Sequence, residues 1–311
     1  MSRLFLAMQL PIKMRYSEWF YDELPKHFRQ YFSKVICLGS MDLLGDNLVD
    51  ESKNFSNTDV AVAFELAQIK NFMSYDFKDD DYLLHMDLSF PGFFHNILYH
   101  KKIKNAFAFC HATSKNSYDY FVKVRSSKWH VESGHSKVYK KVFVASEYHK
   151  EKLGWKNCVV TGLPTPPFPG WPTLNKNIGI ISVARPTVQK VSKRVEKDIE
   201  DKFGKIYRST YNSWEEYYKT LSKAKVMILT GREETFGYSI IDAIKNNVIP
   251  IAPKSLVYPE MLDNDYLFVT MEDLFRKIAY ALTDRIEIPK LKNQTLIDNF
   301  YNKITSEMLE E

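Results

Sequence analysis

One stretch in the second half of the chain combines acidic side chains with glycines. It lies between an apolar run that ends at Thr230 and an amphipathic run that begins near Tyr238. Glu234 precedes the second run and Asp242 lies within it. A strand, a glycine-containing turn and a helix would place the unpaired N–H groups of the first helical turn at a sheet edge, where they bind phosphate. The pattern predicts an anion site beside two carboxylates, although an ordinary turn with two surface acids would have the same sequence.

Two cationic residues, Arg185 and Lys190, lie five positions apart in the loop after the apolar run 178–183. Fixed cations bind phosphate groups and stabilise negative charge that develops on them. Basic pairs are common in loops. The position of this pair at a strand end, upstream of the acidic stretch, makes it a candidate diphosphate site.

These motifs resemble those of the retaining GT-B glycosyltransferases of the large family 4 group. The likeness rests on Arg185 and Lys190, Glu234, Phe236-Gly237, Asp242-Ala243 and Ile249-Pro250; it departs at Asp242, Asn246-Asn247 and Val191, where the family has Glu and two glycines. The resemblance implies that Glu234 binds the donor sugar, Asp242 the ribose, and the two cations with the 236–239 amides the diphosphate. Arg208, beside Tyr207, is a candidate to flank the base. The full candidate donor set is Arg185, Lys190, Arg208, Glu234, Thr235, Phe236, Gly237, Tyr238, Ser239 and Asp242.

In the first half, an apolar run over 106–110 leads to His111. A lone histidine after a strand is more often structural, but related transferases have one at this strand end, near the reacting sugar. The candidate catalytic residues are therefore His111, Glu234, Arg185 and Lys190. The resemblance implies front-face displacement with retention, a nucleotide-sugar donor (UDP-glucose first) and no obligatory metal. Asp87 and the Ser146-Glu-Tyr-His149 segment are weakly similar to tRNA queuosine mannosyltransferases and phage DNA glucosyltransferases.

The acceptor prediction comes from charge. The net charge is +5, and the excess of basic residues is concentrated in residues 101–160, where lysines alternate with aromatics. Cations neutralise phosphates and aromatics stack on displaced bases, so this composition favours nucleic acid. The leading hypothesis is a hydroxymethyl pyrimidine in phage-type DNA. The candidate acceptor-binding residues are Arg15, Asp87, Lys115, Lys123, Arg125 and Lys128.

Several alternatives stay open. The acceptor could be a cell-surface glycan or lipid, with the basic segment on an anionic membrane, or a modified tRNA base. The chain could be an epimerase of the same fold, or a nucleic-acid-binding protein on a decayed scaffold. A solvated lysine-rich face would also explain the charge.

Alternating strand and helix patterns predict an α/β protein of the GT-B kind, with two Rossmann-like αβα domains facing a cleft. We expect an acceptor domain at 1–163, a proline-rich linker at 164–176, a donor domain at 177–290, and a helix at 291–311 that packs back on the first domain. Helices are predicted at 93–99 and 291–309, and a short strand at 206–208.

Composition favours an ordinary folded protein, with 45% hydrophobic and 26% charged residues. No signal peptide or apolar membrane span is evident, so we expect a cytoplasmic location. The three cysteines (Cys37, Cys110 and Cys158) predict buried thiols, not disulfides or zinc. Asp79-Asp80-Asp81 is interpreted as a solvated turn, and His130 and His135 as part of a surface loop.

Overall fold

A computed structural model describes most of the 311-residue chain. The described residues are 2–10, 16, 18–39, 58–88, 103–116, 118, 125–165, 175–184, 190–208 and 213–310. The strands are β1 (Arg3–Ala7), β2 (Lys34–Cys37), β3 (Tyr82–His85), β4 (Asn105–Cys110), β5 (Lys141–Val144), β6 (Cys158–Val160), β7 (Ile178–Ile181), β8 (Ala224–Ile228), β9 (Ile249–Pro253) and β10 (Leu267–Phe268). The helices are α1 (Glu18–Phe28), α2 (Thr58–Met73), α3 (Arg125–Ser136), α4 (Glu147–Leu153), α5 (Lys193–Phe203), α6 (Trp214–Leu221), α7 (Tyr238–Lys245), α8 (Tyr258–Met261), α9 (Met271–Leu282), α10 (Gln294–Asp298) and α11 (Phe300–Leu309).

The chain divides into two compact units. Unit 1 comprises Met1–Lys115, Phe121–Pro166 and Ile297–Glu311, and unit 2 comprises Asn116–Tyr120 and Pro167–Leu296. Each unit is built around its own parallel sheet. The parallel strands follow from runs that are apolar on both faces, because helices cover both sides of such a sheet.

The described strands of unit 1 pair in the order β2-β1-β3-β4-β5-β6. The order reverses at β1, whose neighbours are β2 on one side and β3 on the other. Parallel sheets bind ligands outside the carboxyl ends of the strands at such a reversal. The residues that follow β1, β3 and β4 therefore lie where a site is expected.

Aromatic packing fills the middle of unit 1. Phe109 of β4 is fully buried, and its ring lies 5.3 Å from Phe20 of α1, 5.5 Å from Phe143 of β5 and 6.2 Å from Phe300 of α11 (centroid distances). Burying rings of this size is a large hydrophobic contribution to stability. Helix α11 contributes to this core although it comes last in the chain.

Unit 2 has the strand order β10-β9-β8-β7, and Tyr207 forms a single parallel bridge with Ile181 on the other side of β7. The reversal in this sheet thus falls between β7 and β8. One face is covered by α5 and α9, whose buried residues Ile199, Leu274 and Ile278 join the apolar side chains of the strands in one core.

Some local expectations differ from the structure. The 206–208 strand is only the Tyr207 bridge, because Tyr207 alone of these three residues pairs with β7. The single helix expected at 291–309 is two helices, α10 and α11, separated at Asn299. The helix predicted at 93–99 and most of the predicted linker lie outside the described residues.

The structure corrects two expectations from the sequence, one for the acidic turn at 79–81 and one for the segment that contains His130 and His135. Asp81 is not solvated: its side chain is 1% exposed and pairs with Arg3. His130 and His135 lie on helix α3, not in a surface loop, and His135 is buried. Cys110 and Cys158 are buried as expected, but Cys37 is exposed.

Candidate active site

The Lys190–Glu234 pair lies at the reversal of the unit 2 sheet. Lys190 comes before α5, in the connection from β7, and Glu234 follows β8. The Lys190 Nζ donates to Glu234 Oε2 at 2.9 Å and to the Glu233 carbonyl oxygen at 3.1 Å. The two side chains are 27% and 19% exposed, so the pair is accessible from one side. The structure thus brings together a cation and an acid that are far apart in sequence.

Backbone N–H groups hold the other oxygen of Glu234. The amides of Thr235, Phe236 and Gly237 lie 3.0, 3.3 and 3.2 Å from Oε1. Burial raises the pKa of Glu234, but Lys190 and the amides outweigh it and hold the pKa below its ordinary value. Glu234 is therefore a fixed, ionised carboxylate at neutral pH.

Helix α7 begins beside this carboxylate. Its N-cap is Gly237, in the left-handed region with φ 82° and ψ 42°, and no side chain caps the helix there. A residue with a Cβ would be strained at this position, and its Cβ would lie 2.6 Å from Met261 Sδ. The first-turn N–H groups and the helix dipole add positive potential next to Lys190.

The loop at the β8 end is tied to the start of α5. Thr230 Oγ1 accepts from the Ser192 N–H at 3.0 Å, and Asn116 Nδ2 donates to Glu233 Oε2 at 3.3 Å. These bonds fix the backbone on both sides of Glu234. The arrangement can bind an anion at Lys190 and α7 while the carboxylate accepts bonds from hydroxyl groups.

Two other donor candidates have partners inside unit 2. Asp242 is buried, and its Oδ2 accepts from the Tyr217 hydroxyl at 3.0 Å. Arg208 pairs with the buried Glu196, which also accepts from Ser182 Oγ at 3.0 Å. The predicted contacts of Asp242 with a ribose and of Arg208 with a base stay predictions. Arg185 lies outside the described residues.

A polar cluster lies at the carboxyl ends of β1, β3 and β4 in unit 1. His111 Nε2 lies 2.8 Å from the Met86 carbonyl oxygen, and Gln9 Nε2 donates to the same oxygen at 3.0 Å. Gln9 Nε2 also contacts His111 Nε2. The His111 ring stacks on Phe109 and meets Phe20 edge-on. His111 is therefore oriented at the sheet edge that the sequence predicted.

The backbone of this edge has its own buried support. Gln68 of α2 accepts from the Met8 N–H at 2.7 Å and donates to the Met8 carbonyl oxygen at 2.9 Å. Glu132 of α3 accepts from the N–H and hydroxyl of Ser114. The sequence did not predict roles for Gln9, which follows β1, or for Gln68 and Glu132, which lie in helices, because local sequence carries no signal of their tertiary partners.

The acceptor candidates are not gathered into one described patch. Asp87 is half-buried at the end of β3. Lys115 Nζ donates to the carbonyls of Lys152 and Leu153 at 3.1 and 3.4 Å and lies 4.1 Å from the Trp129 ring centroid. Trp129 stacks on Trp155, so this aromatic pair and Lys115 pack together. Arg125 and Lys128 belong to α3, but their side chains, like all of Arg15 and Lys123, lie outside the described residues.

The described part of the chain has neither a metal-binding cluster nor a membrane-spanning helix. It contains no group of three His, Cys, Asp or Glu side chains that could hold a metal ion. Within the same residues, no helix has the length and apolar character needed to cross a bilayer.

The chain has the GT-B glycosyltransferase fold. It consists of two Rossmann-like units with parallel sheets, and the second unit holds a fixed acid and a cation at the reversal of its sheet. The lipopolysaccharide outer core galactosyltransferase WaaB matches over 98% of each chain, with a TM-score of 0.62 and 11% identity. The pneumococcal O-GlcNAc transferase GtfA, in complex with UDP and GlcNAc, matches over 79% of this chain and 60% of its own, with a TM-score of 0.51 and 12% identity. At sequence identities of 11% and 12%, the structural similarity shows only that the fold is shared.

Sequence similarity to a curated relative covers part of the chain. The tRNA-queuosine alpha-mannosyltransferase of Drosophila melanogaster is 31% identical over 99 residues, which are 32% of this chain and 26% of the relative. The match therefore spans about a quarter of that relative. No protein-family model matches the chain.

Proposed function

We propose that this protein is a retaining glycosyltransferase that moves a hexose from a nucleoside diphosphate sugar to an acceptor hydroxyl. The observation that carries the proposal is the Lys190–Glu234 pair beside the N-terminus of α7. A cation and a helix N-terminus suit a diphosphate, and an ionised carboxylate suits sugar hydroxyls. The fold and the relative with mannosyltransferase activity support the same class of reaction.

In the proposed reaction, the acceptor oxygen bonds to the anomeric carbon while the bond from that carbon to the diphosphate oxygen breaks. The electron pair leaves with the diphosphate, and a phosphate oxygen takes the acceptor proton. Lys190, with Arg185, stabilises the developing charge. Glu234 orients the sugar, and His111 contacts it. Asp242, Arg208 and the 235–239 segment complete the proposed donor set.

For the donor we propose a UDP-sugar, UDP-glucose first. A solved structure of this fold contains UDP and GlcNAc, which supports the nucleotide more than the sugar. GDP-mannose is the second donor to test, because the similar relative is named as a mannosyltransferase.

For the acceptor we propose a modified base in nucleic acid. The basic segment supports an anionic polymer, and the leading candidate from the sequence remains a hydroxymethyl pyrimidine in DNA. The relative named for tRNA queuosine favours a tRNA base as the second candidate. A base inside a duplex would have to be flipped out to react.

Release of nucleoside diphosphate tests the proposal. The protein is incubated with UDP-glucose or GDP-mannose, each with hydroxymethylated DNA, total tRNA or an oligosaccharide or lipid acceptor. We expect release that depends on a nucleic acid. Release that depends only on the oligosaccharide or lipid would reject the nucleic-acid acceptor and keep the transferase.

Lys190→Met is the decisive variant. Losing one preorganised charge at the leaving group should lower kcat by about a hundredfold or more. Lys205→Met, which changes an exposed lysine of the same unit, is the matched control and should retain the rate. Wild-type turnover in Lys190→Met would contradict the proposed diphosphate site.

A further inference from the structure

His149 is a buried histidine whose ring nitrogens lack protein partners. It lies in the first turn of α4, and its side chain is 0% exposed. Neither Nδ1 nor Nε2 has a hydrogen-bond partner among the residues that the structure describes. A buried polar atom without a partner costs free energy, so most buried polar groups in proteins are bonded.

Another buried histidine has a protein partner for one of its ring nitrogens. His85, 4% exposed, places Nδ1 2.8 Å from the Tyr139 hydroxyl. A leucine at position 149 would fill a similar volume without desolvating two nitrogens. Packing alone therefore does not account for an imidazole at this position.

The fold places His149 and His111 at the same carboxyl edge of the unit 1 sheet, after the neighbouring strands β5 and β4. Strands β4 and β5 are paired in parallel, with Cys110 opposite Val144. His111 follows Cys110, and α4 begins directly after β5, with Ser146 Oγ accepting from the His149 N–H at 3.2 Å. This cap fixes the first turn of α4 at the carboxyl edge of the sheet.

Electrostatics agree with this proximity. Burial, together with the smaller effects of the charges of His111 and Lys152, lowers the pKa of His149 to about 3. The ring of His149 is therefore neutral at physiological pH, with one N–H donor and one acceptor nitrogen. Such a ring can bond a water molecule, which in turn can bond a second imidazole.

We propose that His149 is a positioning residue for His111, acting through an ordered water between the two imidazoles. His111 is fixed on its other side by the Met86 carbonyl and Gln9. The water-mediated contact completes its orientation from the α4 side. The kinetic consequence rests on the proposed function, in which His111 contacts the transferred sugar.

Two substitutions and one control test the proposal. His149→Leu keeps the volume and removes the nitrogens, and His149→Gln restores a donor and an acceptor. His130→Leu, which changes an exposed histidine of α3, is the control. The readouts are Tm, kcat and donor KM, and the 15N shifts of the His111 ring nitrogens.

We expect His149→Leu to have a Tm equal to or above that of the wild type. Its kcat should fall about ten- to a hundredfold because the reacting group is misplaced, while the donor KM changes by less than about threefold. The His111 nitrogen shifts should move, and His149→Gln should recover part of both changes. His130→Leu should change none of these quantities.

A wild-type kcat and unmoved His111 shifts in His149→Leu would overturn the proposal and make His149 a packing residue. If His149→Leu does not fold, the same comparison is made with His149→Met, a second apolar replacement without ring nitrogens. If the wild type transfers no sugar from any donor, the proposed function fails, and the His111 shifts still decide the positioning.

Discussion

At the scale of single residues, Asp81 shows how a buried carboxylate depends on its partners. Arg3 donates to both of its oxygens, at 2.9 and 2.5 Å, and the Lys78 N–H donates to Oδ2 at 2.8 Å. Burial raises the pKa of Asp81, but the bonds from Arg3 and Lys78 lower it more. The resulting stabilisation is present above the ordinary carboxyl pKa and is lost as the pH falls through the lower, folded-state pKa.

Asp81→Asn should therefore destabilise the protein. Removing one partner of a largely buried pair leaves Arg3 uncompensated, and because Arg3 is 24% exposed we expect a loss of about 2 kcal/mol at pH 7, below the fully buried range. Urea denaturation measures it. Asp79→Asn, in the same turn but with an exposed side chain, should leave the midpoint unchanged. Equal midpoints for both variants would contradict the assigned role of Asp81.

The sequence predicted the types of the candidate residues better than their partners. Lys190 and Glu234 were identified because strand ends and acid spacing are local features. The burial of Asp81 was missed, because its partner Arg3 is 78 positions away and no local pattern indicates such a pair. His149 was noticed only as part of a short motif, and its missing partners are visible only in the fold.

At the scale of elements, the start of α7 depends on a glycine for two separate reasons. Gly237 has a positive φ, and Met261 occupies the space that a Cβ would need. Gly154, which ends α4, also has a positive φ (66°) but has nothing within 4 Å of a built Cβ. Substitutions at these two glycines therefore distinguish the cost of backbone strain from the cost of a steric clash.

Gly154→Ala should cost about 1 kcal/mol from backbone strain alone. Gly237→Ala should cost roughly 1–3 kcal/mol more than this, because the added methyl group overpacks the space beside Met261. It should also weaken donor binding, because the Gly237 N–H bonds to Glu234. Thermal denaturation and UDP titration measure the two effects, and an equal loss in both variants would argue against the Met261 contact.

Element prediction from sequence succeeded where periodicity was strong. The apolar runs at 106–110 and 178–183 correspond closely to strands β4 and β7, because continuous apolar runs are typical of buried parallel strands. Helix α3 was missed, since its sequence contains serines, a glycine and histidines that favour loops. Its buried face, which includes Glu132 and His135, is specified by tertiary contacts.

At the scale of the whole molecule, buried histidines set the response of stability to mild acid. Burial lowers the pKa of His85 and of His149 to about 3. In the unfolded chain both take up protons near pH 6.5, whereas the folded protein keeps them neutral. Stability is therefore unaffected by these groups above pH 6.5 and decreases as the pH falls from there towards 3.

Between pH 6 and 5, each of these histidines should lower the unfolding free energy by roughly 1 kcal/mol per pH unit. The carboxylates with lowered pKa values, such as Asp81 and Glu234, act only near and below pH 4. Urea denaturation at about pH 7.5, 6.0 and 5.0 measures the slope of the unfolding free energy against pH. His149→Leu should reduce it by roughly 1 kcal/mol per pH unit, and a slope that this variant leaves unchanged would refute the assignment.

The division into two units could be anticipated from the alternation of strands and helices, but the path of the chain between them could not. The segment Asn116–Tyr120 belongs to unit 2 although unit 1 surrounds it in sequence. Only three-dimensional contacts reveal such an exchange.

Helix α11 has a consequence for synthesis on the ribosome. It supplies Phe300 to the ring cluster of unit 1 and joins Lys141 through Glu307 at 2.7 Å. All of unit 2 beyond Pro166 is translated before α11 emerges. The first unit therefore lacks part of its apolar interior until α11 is synthesised, while the second unit can already fold. During that interval the nascent chain exposes the most apolar surface to chaperones.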